Sequence, residues 1–337
     1  MKVESYLNGI FPRSDKALES GSRLLKGRET KENFHKLLEK ETKEIIGLQQ
    51  RLSLDYLSDG QLFWDDFLRP IANALGLHRQ GSNADENPVT RQIYTNTFYR
   101  KPFISGRFGD VNKKLVDTTF IDTIKKDRKK IILPSPFALV YLSDGIHRNE
   151  SGAIKDDVFA DILSDAAKVM NNEARRLGKE SKISFVQFND PCLAYAPESE
   201  SLWDNIVESL MLASRGLQEL KVITSLHLYN GNVSKFLPGL GKLPVDRIGV
   251  DAYSTDLKKF TGTKFRKFLE LGVVNSKNSL IEDPEALAKY AKQVSEKIKP
   301  DGLALVPNRP LELVPRHIAI KKVESMAKAA ELLRGAA

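Results

Sequence analysis

One cysteine, Cys192, stands in a chain of 337 residues. That scarcity excludes an internal disulfide, and it excludes a zinc site built from several thiolates of this chain alone. No run approaches the roughly 18 apolar residues of a membrane helix, and the opening "MKVESYLNGIFPRS" lacks the long apolar core of a secretory signal. A cytoplasmic protein without membrane association is therefore expected. No low-complexity tract, no 20–50-residue repeat and no crossover glycine fingerprint of a dinucleotide fold is present. What is present is ordinary for a globular chain: 41% hydrophobic and 28% charged residues, enough to bury a large core. Lysine and arginine total 52 against 44 acidic residues, so the net charge is 52 − 44 = +8. This excess permits a nucleic acid or a polyanionic small molecule as partner. Its densest run, "KKDRKK" from Lys125 to Lys130, reads as a solvated helix end.

Short runs rich in Val, Ile and Phe alternate with segments of helical apolar spacing, the rhythm of βα units around a parallel sheet. Eight strands are predicted, at 3–11, 54–58, 131–141, 183–189, 222–228, 245–251, 272–275 and 303–306. Helices are predicted in "KENFHKLLEKETKEIIGLQQRL", "DVFADILSDAAKVMNNEARRLG", "ESLWDNIVESLMLASRGLQEL", "DLKKFTGTKFRKFLEL", "DPEALAKYAKQVSEKI" and "PRHIAIKKVESMAKAAELLRG". Their punctuation includes Ser151 or Asp156, Asp283-Pro284, Gly178 and Gly335. The expected fold is a single α/β domain over 1–337, a (β/α)8 TIM barrel. An insertion after the second strand, 60–110, should hold a helix in "FWDDFLRPIANALGL" and a β-hairpin in "TRQIYTNTFYRKPFISGRF".

Barrel sites gather at the C-terminal ends of the strands, and polar residues stand at nearly every predicted end: Asp59, Ser135, Asn189 with Asp190, His227 with Tyr229 and Asn230, Asp251, Asn275, and Asn308 with Arg309. Singly, each can cap the next helix or close a loop. Together they describe a polar pocket in one mouth, with Asp59, Asn189, Asp190, His227, Tyr229, Asp251 and Asn308 as its candidate residues.

The order of these pieces resembles the cobalamin-independent methionine synthases, zinc enzymes built from two related barrels of which the C-terminal one carries the metal. The likeness runs through "GIFPRS", "VQFNDPCLAY", "SLHLYNGN", "RIGVDAYSTD" and "LALVPNRPLELVPR". "SDGQLFWDDFLRPIANALG" and "IYTNTFYRKP" look more like the N-terminal, non-metal barrel. The resemblance implies a zinc held by His, Glu and two Cys, which would make a bound homocysteine a thiolate at neutral pH. Laid on this chain, His227 survives, Tyr229 stands at the first cysteine, Asp251 at the glutamate and Arg309 near the second cysteine. No metal is expected here, and His227 becomes a pocket histidine paired to Asp251. The family's Asp-Glu pair for the substrate amine corresponds to Asn189 and Asp190.

The resemblance thus implies a stand-alone relative of the non-metal half, with no firmly bound cofactor. It would bind a folate or pterin methyl donor as substrate, or support a separate zinc-bearing methionine synthase barrel. Arg13, Lys16, Arg100, Lys101 and Arg309, together with Trp64, are the candidates for holding an anionic ligand, with the aromatic hairpin 94–99 as a stacking wall. Two other readings are a non-catalytic binder of RNA or the ribosome, and an independent 5-methyltetrahydropteroyltriglutamate-homocysteine methyltransferase. The last would use His227 as base and Cys192 as nucleophile.

Overall fold

The computed structural model describes residues 1–91, 98–107, 113–145, 156–237, 239–260 and 265–335. Among the described residues nine strands are numbered in chain order: β1 (Lys2–Ser5), β2 (Val89–Arg91), β3 (Phe98–Arg100), β4 (Lys130–Pro134), β5 (Phe185–Asp190), β6 (Ile223–Leu228), β7 (Arg247–Asp251), β8 (Phe268–Val274) and β9 (Gly302–Pro307). Seven form one curled parallel sheet in the order β1-β9-β8-β7-β6-β5-β4, while β2 and β3 pair antiparallel by themselves. The chain therefore folds as an α/β protein around a parallel sheet.

The predicted second strand, 54–58, lies between the two edges of that sheet without becoming a regular strand. Asp55 N donates to Ser5 O of β1 at 2.9 Å; Leu57 N donates to Arg128 O at 2.8 Å and Leu57 O accepts from Lys130 N at 2.9 Å. A single parallel bridge, Leu57 to Lys129, results. Left-handed backbone at Ser53 before it, and at Gly60 and Gln61 after it, confines the extended stretch.

Helices pack outside the sheet: α1 (Asp15–Leu25), α2 (Lys31–Arg51), α3 (Arg69–Leu75), α4 (Pro136–Tyr141), α5 (Asp156–Glu180), α6 (Trp203–Ser214), α7 (Pro284–Ile298) and α8 (Arg316–Gly335). Side chains of Ser14, Thr30, Ser135 and Asp283 accept from the backbone N–H three residues on, supplying the first-turn donors of α1, α2, α4 and α7 with a partner. The main apolar core joins the outward faces of the strands to the inward faces of these helices, with Leu133, Val186, Leu226, Ile248 and Leu305 all buried.

Several predicted elements have different bounds. β1 ends at Ser5 rather than residue 11, because the following carbonyls serve side chains instead of a ladder: Leu7 O accepts from Lys130 Nζ, and Asn8 O from Gln187 Nε2 and Asn189 Nδ2. The expected strand 131–141 stops at Pro134, where Ser135 caps α4. Within "DLKKFTGTKFRKFLEL" only Leu257–Phe260 forms a short 3-10 turn, and the closing residues belong to β8, which begins four residues before the predicted strand start at 272. Gly178 lies inside α5, Ser151 falls outside the described residues, and the helix expected in 63–77 contracts to the seven residues of α3. "KKDRKK" is no solvated helix end. It is a short turn leading into β4, with Lys129 and Lys130 buried.

Candidate functional site

The interior of the curled sheet is lined with charge. At the N-terminal end of the strands, Arg247 of β7 pairs with Glu4 of β1 and donates to Tyr6 Oη at 2.9 Å, and Tyr6 in turn donates to Glu270 Oε1 at 2.9 Å. Lys130 reaches in from β4: its Nζ donates to Leu7 O at 2.8 Å and lies 3.9 Å from the centre of the Tyr6 ring and 4.6 Å from that of Phe185. All five charged or phenolic side chains are buried. A buried ammonium is costly unless compensated, and here two aromatic faces and a carbonyl share that task. Burial pushes the Lys130 ammonium well below its usual pKa, only partly offset by Glu270 and Glu4. Burial alone would raise the Glu270 carboxyl, but the adjacent His227 ring and the charges of Lys130 and Arg247 bring it down to about 2.

Above this layer sits His227 of β6. Its Nδ1 lies 3.6 Å from Glu270 Oε2, and its Nε2 is 3.0 Å from Asn308 O and 2.9 Å from Asn8 Nδ2. The ring and the carboxylate meet across Gly249 of β7, where a Cβ would stand 2.0 Å from Nδ1 and 2.8 Å from Oε2. Only glycine permits this approach. His227 is thus paired with Glu270 rather than with Asp251, correcting the expected partner. Asp251 accepts instead from Asn308 Nδ2 at 3.1 Å, Tyr253 N at 2.9 Å and Ser254 Oγ at 2.7 Å, and Lys277 Nζ stands 3.7 Å away. The histidine and the aspartate project from neighbouring strands, but two residues of register separate Asp251 from the pair level of His227 and Gly249.

Asn189, His227, Asp251 and Asn308 are joined in one network through Asn8, Asn308 and Ser276, all buried. Asp190 belongs to its rim: its carboxylate accepts from Ser135 Oγ at 2.5 Å and from Cys192 N and Leu193 N at 2.8 Å, while burial raises its pKa. Tyr229 is buried with its ring 5.9 Å from that of His227. Asp59 stands apart, half-buried, accepting from Gln61 N at 3.0 Å, its carboxyl pushed by burial to about 6. Cys192 is fully buried, and that burial holds its thiol well above the ordinary range, the opposite of what a nucleophile needs.

Four of the five proposed anion-binding residues are not gathered at this network. Arg13 pairs with Asp65 at 3.0 Å and donates to Leu62 O; Lys101 pairs with Asp144 at 2.5 Å; Arg100 donates to Asn87 O at 2.8 Å; Lys16 is exposed on the first turn of α1. Trp64 is buried, and Tyr99 of the expected stacking wall points inward to donate to Leu142 O at 3.1 Å. Residues 94–97 of the expected aromatic hairpin lie outside the described residues. Arg309 alone joins the network, its Nε donating to Ser276 Oγ at 3.1 Å.

Sequence reasoning missed Glu4, Tyr6, Asn8, Lys130, Gln187, Arg247 and Glu270. A signal existed: Glu4 in "KVESY", Arg247 in "DRIGVD" and Glu270 in "FLELGVV" are charges at alternating positions of strand-like runs. Among the described residues no group of three or more His, Cys, Asp or Glu side chains is placed to hold a metal ion, and no helix is long and apolar enough to cross a membrane.

The family model for "Cobalamin-independent synthase, Catalytic domain" matches residues 7–332. This chain belongs to the cobalamin-independent methionine synthase family. The methionine synthase of Sulfurisphaera tokodaii is 26% identical over 333 residues, 97% of this chain and 91% of that protein. That of Thermococcus kodakarensis is 26% identical over 316 residues, 91% and 86% of the two chains. A B12-independent methionine synthase from Shewanella sp. W3-18-1, solved with selenomethionine, superposes with a TM-score of 0.67 at 16% identity, covering 92% of this chain and 91% of that one. A putative vitamin-B12-independent methionine synthase from Listeria monocytogenes gives 0.64 at 16% identity, covering 99% of each chain. These two likenesses establish shared fold. The matched family model is that of the catalytic domain, and it lends no support to the expected kinship with the N-terminal half.

Proposed function

We propose that this family member is a metal-free accessory barrel that supports a separate zinc-bearing methionine synthase by binding its folate or pterin methyl donor. We read its sheet as a (β/α)8 barrel in which 54–58 fills the eighth place. The observation that carries the functional reading is the state of His227. Both ring nitrogens face groups of the barrel interior, Glu270 on one side and Asn308 and Asn8 on the other, and the surrounding positions carry Tyr229, Asp251 and Arg309. A phenol buried beyond easy ionisation, a carboxylate already accepting three hydrogen bonds and a guanidinium do not form a zinc site. The residues present do not fit the metal.

The test is a zinc analysis of the purified chain combined with methyl transfer to homocysteine, alone and with a zinc-bearing methionine synthase from the same cell. The expected result is less than a tenth of an equivalent of zinc, no turnover alone, and an increase in the partner's kcat/KM. Stoichiometric zinc with turnover in isolation would overturn the proposal, as would a partner whose kinetics do not change.

A further inference from the structure

Arg309 is the candidate cation that joins the polar network at the strand ends. It is 7% exposed, yet among the described residues it hydrogen-bonds only to neutral oxygens: Nε to Ser276 Oγ at 3.1 Å and a long contact from Nη1 to Asn230 Oδ1 at 3.5 Å. Among the described residues no carboxylate lies within ion-pair distance of its guanidinium, whereas Arg13, Arg69, Arg107, Arg176, Arg247 and Arg316 all have one. The five N–H donors of a guanidinium form a planar fork matched to an oxyanion, and two acceptors leave part of that fork unused.

Its neighbour Asn230 adds a second observation. Asn230 holds a left-handed backbone at φ 66°, which asparagine adopts more readily than most residues, immediately after β6. Its Oδ1 faces Arg309, while its Nδ2 is enclosed with no hydrogen-bond partner. An unsatisfied amide donor and an uncompensated cation thus share one corner of the polar network, and both lack the same thing, an anionic acceptor. The same corner holds the Tyr229 phenol, on which Arg309 and the half-buried Glu312 act with opposite sign. Ser276, which receives Arg309 Nε, is itself committed to Asn308 Oδ1, so the guanidinium is fixed in place rather than free to swing into solvent.

We propose that Arg309 and Asn230 form a binding site for a small oxyanion, a carboxylate or a phosphate, on the side of the network where β6 and β9 end. The fixed cation takes up the charge and the Asn230 amide orients it. This site does not depend on the accessory role, since it is read without a partner or a methyl donor.

The experiment titrates the full chain calorimetrically with sodium succinate and, separately, with sodium phosphate at constant ionic strength. Saturable one-to-one binding of at least one is expected; succinate alone identifies the ligand as a carboxylate, phosphate alone as a phosphate. Arg309→Met should weaken that binding at least tenfold, and Lys16→Met should leave it within twofold. Asn230→Asp, nearly isosteric and tolerant of the left-handed backbone, places an internal carboxylate beside Arg309 and should abolish binding even if Arg309→Met fails to fold. Absence of saturable binding for both anions, or undiminished binding in Asn230→Asp, would overturn the proposal.

Discussion

Replacing Gly249 by alanine tests whether the His227–Glu270 pair is the structural centre of the interior of the curled sheet. The added Cβ would stand 2.0 Å from His227 Nδ1, where ordinary contact begins at 3.4 Å, so the ring must retreat by 3.4 − 2.0 = 1.4 Å. Both residues it would press lie in strands fixed on either side, β6 and β8, and both are fully buried. A shift of that size breaks the 3.0 Å contact of Nε2 with Asn308 O and separates the ring from the Glu270 carboxylate. Overpacking alone costs about 1–3 kcal/mol, and leaving buried polar groups of this network without their partners about 1–3 kcal/mol; with partial relaxation the sum is ~3 kcal/mol. With an unfolding entropy of about 2.1 cal/mol/K per residue, a chain this long should lose ~4 °C in Tm. Urea unfolding and calorimetry of the variant measure both. The decisive control is His227→Ala, which removes the ring: in that background Gly249→Ala should cost less than ~1 kcal/mol, a coupling of about 2 kcal/mol. A Gly249→Ala variant within ~0.5 kcal/mol of the parent, or one equally costly in both backgrounds, would refute the close-approach argument.

Asp59 titrates at about 6 against an ordinary 3.8, raised by burial. The stability its protonated form contributes is full below the unfolded pKa and is lost as pH rises through about 6. Asp59→Asn keeps the oxygen that accepts from Gln61 N, so it should match the parent near pH 4 and exceed it at neutral pH in denaturant unfolding; equal profiles would contradict the assigned shift. Cys192 should resist a thiol reagent such as Ellman's in the native protein and react fully once unfolded, because its side chain is buried and its thiolate disfavoured. Rapid native labelling would show that the strand-end turn after β5 opens readily.

The sequence determined the periodicities and therefore the class of fold. Runs such as "ISFVQFND", "VITSLHL" and "RIGVD", alternating with amphipathic segments, could satisfy their backbones and bury their apolar faces only as parallel strands covered by helices, and β5, β6 and β7 are those runs. It also determined where strands end in polar residues, so that Asn189, His227, Asp251 and Asn308 are legible together from their places in the chain. The tertiary structure decided which charge meets which. Tyr6 and Glu270 are 264 residues apart, and His227 faces Glu270 only because parallel register sets both beside the same glycine of β7. A one-residue slip would turn every one of these side chains to the other face of the sheet. Lys130 makes the same point. In sequence it is the last letter of a basic run; in the fold it is the first residue of β4, and the pleat turns its ammonium onto the rings of Tyr6 and Phe185. Local pattern specifies an element and its two faces, but the partner across a barrel follows from strand order and register, which pairing over the whole chain decides.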